Sequence, residues 1–253
     1  MGMPSYILLR TVWGGRSGVF EEEVEDVWRC MTCLAGYGGL FQDSWIDVDH
    51  PKVSLGSKEA LAASMWRTRN SGDGPQYSFS QDRFVRIDPL RPYVSLDANV
   101  SFPKKHGGRT ANHVMVRIGT EIRDSHLLTE VVRQVLGVGS RLVKDMVDIW
   151  RPDAVSLDSL ELVTLARQLG LVGAFPTLGF VSWLSAAVID AKDVPRSRIR
   201  EPYMGGVLTG IDPRSSDPVG EATLMALRLY RSGKLRVVPL VQQQAGGDRG
   251  ESS

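Results

Sequence analysis

Tyr93-Val94-Ser95-Leu96-Asp97-Ala98-Asn99-Val100-Ser101-Phe102 places an apolar residue at every second position: Val94, Leu96, Ala98, Val100 and Phe102 alternate with Tyr93, Ser95, Asp97, Asn99 and Ser101. His113 to Ile118 repeats the pattern, with Val114, Val116 and Ile118 set against His113, Met115 and Arg117. Successive side chains of a strand point to opposite faces, so a period of two with one apolar face reads as a half-solvated antiparallel sheet. Gln76 to Ile87 is a less regular strand-like run before them, and Pro89-Leu90-Arg91-Pro92 and Pro103 to Asn112 are the connections.

On the N-terminal side, Tyr6 to Trp13 is aliphatic and β-branched enough to form a first strand, and Gly14, Gly15 and Gly18 turn the chain. From Phe20 the apolar residues Val24, Val27, Trp28, Met31, Leu34 and Ala35 fall on one helical face. Glu21, Glu22, Glu23, Glu25 and Asp26 crowd the start of that helix, where its dipole favours them. A shorter helix over Ser57 to Arg69 puts Leu61, Ala62, Met65 and Trp66 on one side, Arg69 within that face and Arg67 opposite, and Asn70 to Pro75 stops it.

On the C-terminal side, His126 to Trp150 reads as one long helix or two in series, weakened at Gly137 and Gly139 and closed by Pro152. Ala154 to Leu157 is a short strand, and Asp158 or Ser159 suits the N-cap of a helix over Leu160 to Leu169. Val181 to Ile189 and Gly206 to Ile211 read as strands, Pro218 to Arg231 as the last helix, and Leu235 to Val241 as an edge strand. The expectation is an α+β fold, a mainly antiparallel sheet packed with amphipathic helices, in one domain over residues 1–241. The polar, Gly-rich tail over 242–253 is expected to be disordered.

With 42% apolar residues in 253, the chain can bury a substantial core without staples. A net charge of +1 supplies no field that calls for nucleic acid or an anionic membrane. The one local basic cluster, Lys104-Lys105-His106-Gly107-Gly108-Arg109, reads as a solvated hairpin tip. No secretory signal is evident, Tyr6 breaks a myristoylation motif at Gly2, and no apolar run approaches a membrane span. With only two cysteines, a reducing cytoplasm is the default expectation.

The short motifs each meet a plainer account. Cys30-Met31-Thr32-Cys33 is a C-x-x-C pair, but it lies in mid-helix downstream of carboxylates that disfavour a thiolate, so helix packing explains it better than redox or zinc chemistry. Gly14-Gly15-Arg16-Ser17-Gly18 matches no phosphate-loop pattern and is followed by glutamates, which points to a tight turn. Leu157-Asp158-Ser159-Leu160 looks like the Asp-Ser-Leu site of acyl carrier proteins, yet helix capping accounts for Asp158 and Ser159 without a phosphopantetheine. There is no G-x-S-x-G, H-E-x-x-H or EF-hand loop, and pairs such as Asp145 with Asp148 read as solvated positions.

The order of the anchors is more telling than any one of them. The strand ending in Trp13, the helix from Phe20, Trp66 to Arg69 with Asp73 before an aromatic strand, and the sheet to Ile118 come first. Trp150-Arg151-Pro152-Asp153, Ser182-Trp183-Leu184 and Gly205-Gly206-Val207-Leu208 follow. In this order the chain resembles the immunity protein 52 family of bacterial polymorphic toxin systems over about Tyr6 to Arg231. It departs from the family at Leu136 to Arg141 and in an inserted basic loop, Ala191 to Pro202. The resemblance implies a single-domain cytoplasmic antitoxin that binds and neutralises a cognate toxin, typically a restriction-endonuclease-type nuclease. It implies no catalysis, no cofactor, no metal, and no direct contact with nucleic acid or membrane. The alternatives are a hydrolase-like enzyme with a dispersed active site and a phosphopantetheine carrier at Ser159.

For the binding surface, the loop Phe41 to Asp49 combines Trp45 with Asp43, Asp47 and Asp49, a mixture suited to a basic nucleic-acid groove. The competing reading folds Trp45 into the core. Arg67, Arg69 and Asp73 are candidate toxin contacts or a brace for the turn after their helix, and Trp66, Trp150 and Trp183 are assigned to the core.

Overall fold

The computed structural model describes residues 6–14, 19–38, 40–41, 44–69, 76–81, 93–99, 112–119, 125–169, 176–236 and 238. Within them the alternating runs become nine strands of one sheet: β1 (Tyr6–Trp13), β2 (Trp45–Asp47), β3 (Gln76–Gln81), β4 (Tyr93–Asn99), β5 (Asn112–Gly119), β6 (Ala154–Ser159), β7 (Val181–Ser185), β8 (Ile199–Tyr203) and β9 (Gly206–Gly210). The spatial order is β2-β3-β4-β5-β1-β6-β7-β9-β8, and every ladder is antiparallel. Five helices accompany it: α1 (Phe20–Ala35), α2 (Lys58–Arg69), α3 (Ser125–Trp150), α4 (Leu160–Gln168) and α5 (Pro218–Arg231). The fold is α+β, as the alternation predicts.

The central strand β1 shows how register builds the core. Ile7, Leu9 and Thr11 lie opposite Ile118, Val116 and Val114 of β5 and Ser159, Leu157 and Val155 of β6, so one face collects the aliphatic side chains. α3 covers that face across β1, β6 and β7, and α1 packs between α3 and α2. α4 and α5 pair with each other, and Leu229 and Ala226 of α5 join a second cluster with Ala154, Leu184 and Val207.

α3 runs unbroken through both glycines, in place of a helix pair. A Cβ on Gly139 would lie 2.8 Å from Leu157 Cδ2 and 3.3 Å from Val181 Cγ2, so this glycine marks where the helix approaches the sheet most tightly. The start of α4 also differs from expectation: Ser159 is its N-cap residue, but no side-chain capping bond forms.

Two strands escape the sequence reading. β8 lies, all but Tyr203, inside the stretch read as a basic loop, and β2 inside the loop Phe41 to Asp49. β7 ends at Ser185 rather than Ile189. No strand is assigned to the described part of Leu235 to Val241, although Arg236 N donates to Val188 O at 2.8 Å. The tail over 242–253, the basic cluster over 104–109 and the ends of the two strand readings at 82–87 and 100–102 lie outside the described residues.

The two rims of the sheet are finished differently. Along β2, Leu55 N donates to Trp45 O at 2.7 Å, Asp47 N donates to Val53 O at 3.3 Å, and Ile46 bridges Ser54. β8 and β9 are joined by a two-residue turn with positive φ at Met204 (45°) and Gly205 (73°), the type I′ signature of a tight hairpin. Hydrogen-bonded pairs alternate along such a ladder, and Tyr203–Gly206 closes the turn. Pro202 therefore falls at a position whose backbone faces away from β9, where its missing N–H removes nothing from the ladder.

Candidate functional site

Trp45, Asp47, Asp49, Arg67 and Arg69, of the residues singled out from the sequence, gather at one corner, where α1 begins, α2 ends and β2 and β3 form the sheet rim. Asp47 is buried there, 2% exposed. Its Oδ1 accepts from Asp49 N at 2.9 Å and His50 N at 3.2 Å, and its Oδ2 accepts from Ser64 Oγ at 2.5 Å. Such a carboxylate holds the turn after β2 against α2. Arg67, half exposed, reaches Asp47 Oδ2 at 3.6 Å. Trp45 is 2% exposed, so the core reading holds for it, and neither it nor Asp47 offers a contact surface. Asp49 remains exposed beside His50, Lys52 and Arg67 around a shallow recess.

Arg69 follows the helical-angle expectation and turns inward. Its Nη1 donates to Glu23 Oε2 at 3.1 Å, and Tyr77 OH donates to the same oxygen at 3.3 Å. Burial, followed by the Glu23 charge, holds the Tyr77 phenol well above its ordinary value. The Arg69 guanidinium also sits over the Phe20 ring at 5.3 Å. Arg67 and Arg69 are thus braces to Asp47 and Glu23, whereas the sequence reading paired them with Asp73. Asp73 and Asp43 lie outside the described residues.

Trp66 departs from its assignment to the core. It stands 55% exposed, edge-to-face against Phe20 at 5.2 Å between ring centroids. The remaining anchors behave as scaffold. Trp13 stacks on Trp150 at 5.4 Å, Asp153 Oδ2 accepts from Gly14 N at 2.8 Å, and Asp153 N donates to Val12 O at 2.9 Å. Trp183 Nε1 donates to Tyr203 O at 2.7 Å, and a Cβ on Gly206 would lie 2.6 Å from the Trp183 ring.

The other chemical candidates lose their access or their reactive form. Cys30 is fully buried and its thiol faces Met146 Sδ at 3.8 Å. Cys33 donates to Asp145 Oδ2 at 3.3 Å, and Tyr37 OH donates to the same oxygen. Burial above all, and for Cys33 the Asp145 carboxylate, pushes both thiols up to about 12. Thiols so far from ionisation are poor nucleophiles and poor metal ligands. Ser159 is 0% exposed, so a phosphopantetheine arm has no path to its hydroxyl. Its neighbour Asp158 is also fully buried, with Oδ2 accepting from Ser156 Oγ at 2.9 Å and Thr177 Oγ1 at 2.7 Å. Its Oδ1 has no hydrogen-bond partner among the described residues. Desolvation pushes this carboxyl up to about 6, against the pull of the Arg10 charge and the two hydroxyl donors. Among the described residues no helix is long and apolar enough to cross a membrane.

No family model matches the chain, and no curated protein does. Among solved structures it is similar to the Pseudomonas aeruginosa T6SS protein PA0821, with 11% sequence identity, a TM-score of 0.44, and coverage of 92% of this chain and 78% of that one. The resemblance to the immunity family rests on the order of anchors in the sequence.

Proposed function

We propose that this protein is an immunity protein, a cytoplasmic antitoxin that neutralises a cognate bacterial toxin by binding it, without catalysis or cofactor. The toxin class implied by the resemblance is a restriction-endonuclease-type nuclease. One observation supports the reading above the rest: the C-terminal anchors that carry the resemblance, together with Trp13, lie along one stretch of the sheet. The Trp13–Trp150 stack, the Asp153 bonds to Gly14 and Val12, and the Trp183–Tyr203–Gly206 contact all fasten β1, β6, β7 and the β8–β9 hairpin to one another. An order of residues that builds one scaffold is less prone to chance likeness than isolated motifs. The corner described above adds an aromatic and charged surface of the composition that binding proteins use.

The test is co-expression with the toxin domain encoded beside this gene. Rescue of growth and co-purification of a stoichiometric complex are expected; failure of both overturns the proposal.

A further inference from the structure

We propose that the outer face formed by the start of α1 and the length of α2 is the surface that meets the toxin, with Trp66 as its anchor and a lysine- or arginine-bearing patch as its counterpart. The inference rests on the immunity reading and names its surface. Trp13, Trp45, Trp150 and Trp183 are buried and Trp28 is half-buried, whereas Trp66 is 55% exposed and Val19, at the head of α1, is 59% exposed. An exposed tryptophan is the residue type that most often dominates a protein interface.

The ring stands on a fixed pedestal. Phe20 meets it edge-on at 5.2 Å, Arg69 lies over Phe20 at 5.3 Å, Glu23 holds Arg69 at 3.1 Å, and Tyr77 of β3 holds Glu23 at 3.3 Å. A side chain already set in place loses less freedom on binding, which is how preorganised anchors raise affinity. Along α2, Glu59, Ala63 and Trp66 share one exposed stripe.

Charge selects the partner. Among the described residues of α1 and α2 here, Lys58 is paired with Glu25, Arg67 with Asp47 and Arg69 with Glu23, and exposed Lys52 lies off this face beside Asp49. Glu21, Glu22 and Glu59 are exposed around the patch and form no ion pair among the described residues. Among the described residues the rim is thus net negative around Trp66, which favours guanidinium and ammonium groups by charge. A surface built to hold nucleic acid presents such groups.

The experiment measures affinity for the purified, catalytically disabled toxin domain encoded beside this gene, using the full-length wild type, Trp66→Ala, the triple variant Glu21→Gln/Glu22→Gln/Glu59→Gln, and Leu224→Ala as a control at an exposed site on α5. Trp66→Ala should weaken binding by about tenfold to a hundredfold. The triple variant should lose most of the salt dependence of the association rate, while Leu224→Ala matches wild type. Circular dichroism and thermal unfolding confirm that each variant is folded, and the triple variant, which touches no packed side chain, tests the surface independently of Trp66. If the wild type binds and both sets of substitutions leave affinity and salt dependence unchanged, the surface is wrong while the immunity reading stands. A wild type that neither binds nor rescues overturns both. A wild-type dimer that Trp66→Ala converts to monomer without altering toxin affinity assigns the face to a second copy and also overturns the proposal.

Discussion

Asp158→Asn isolates the energetic consequence of a carboxyl enclosed on β6. The native group titrates at about 6, and the unfolded chain near the ordinary 3.8. A raised acid pKa means that the folded state holds its proton more tightly than the unfolded state between these values. Stability therefore declines as pH rises through that window and levels off above it. A gap of about two units corresponds to about 3 kcal/mol in full, of which about 2 kcal/mol accrues between about pH 4 and about pH 7.5. Asparagine cannot ionise. Its carbonyl can accept from Ser156 and Thr177, and its NH2 then occupies the place of the oxygen that has no partner. That unpaired donor costs about 1–3 kcal/mol, but equally at every pH. The readout is thus the pH dependence of the difference, in which the constant term cancels. Urea unfolding of wild type and Asp158→Asn, followed by far-ultraviolet circular dichroism across this range, should show the variant gaining about 2 kcal/mol relative to wild type as pH rises. A difference that stays flat from about pH 4 to about pH 7.5 would refute the reasoning, since it would place the native pKa at its ordinary value.

Three further outcomes follow from the same contacts. Gly139→Ala should cost about 1–3 kcal/mol, because its Cβ meets Leu157 at 2.8 Å, whereas Gly137→Ala, with open space around it, should stabilise by about 0.5–1 kcal/mol; urea midpoints distinguish them. Asp47→Ala leaves two backbone donors and the Ser64 hydroxyl without their acceptor and should cost more than about 2 kcal/mol, against less than about 1 kcal/mol for the half-exposed Arg67→Ala. Cys30 and Cys33 should resist a thiol-specific disulfide reagent at about pH 8 in the folded protein and react at once in denaturant, and rapid labelling of native protein would contradict the raised thiol pKa values.

The parts of the fold that sequence makes legible are those where one neighbour relation repeats. β4 and β5 alternate cleanly because each is flanked on both sides by antiparallel strands and turns Val94, Leu96 and Ala98, or Val114, Val116 and Ile118, to the core, and α5 announces itself through Pro218 and the Asp217 cap, whose Oδ1 accepts from Gly220 N at 3.1 Å. β8 is hidden because Ile199-Arg200-Glu201-Pro202-Tyr203 carries charges and a proline, tolerated only because it is a rim strand. At the candidate site, helical angle places Arg69 correctly but groups Trp66 with Leu61 and Met65. The latter two face the core, while Trp66 stands exposed with Phe20 of α1 edge-on to its ring, and periodicity says which residues share a face without saying what lies opposite. Trp45 accordingly takes the core place that was one of its two sequence readings, and Trp66 leaves the core place assigned to it.

The finish of the two rims has a consequence for how this protein can be approached. On the β2 side the outward amide and carbonyl groups are already engaged by residues 53–55, and on the β8 side Pro202 withholds the donor that an arriving strand would seek. Both borders are thereby insulated against templated growth, whether by a partner's backbone or by another copy seeding an aggregate. A sheet of this breadth stays self-limiting at its rims, and the proposed recognition would fall to side chains standing on the helical layer.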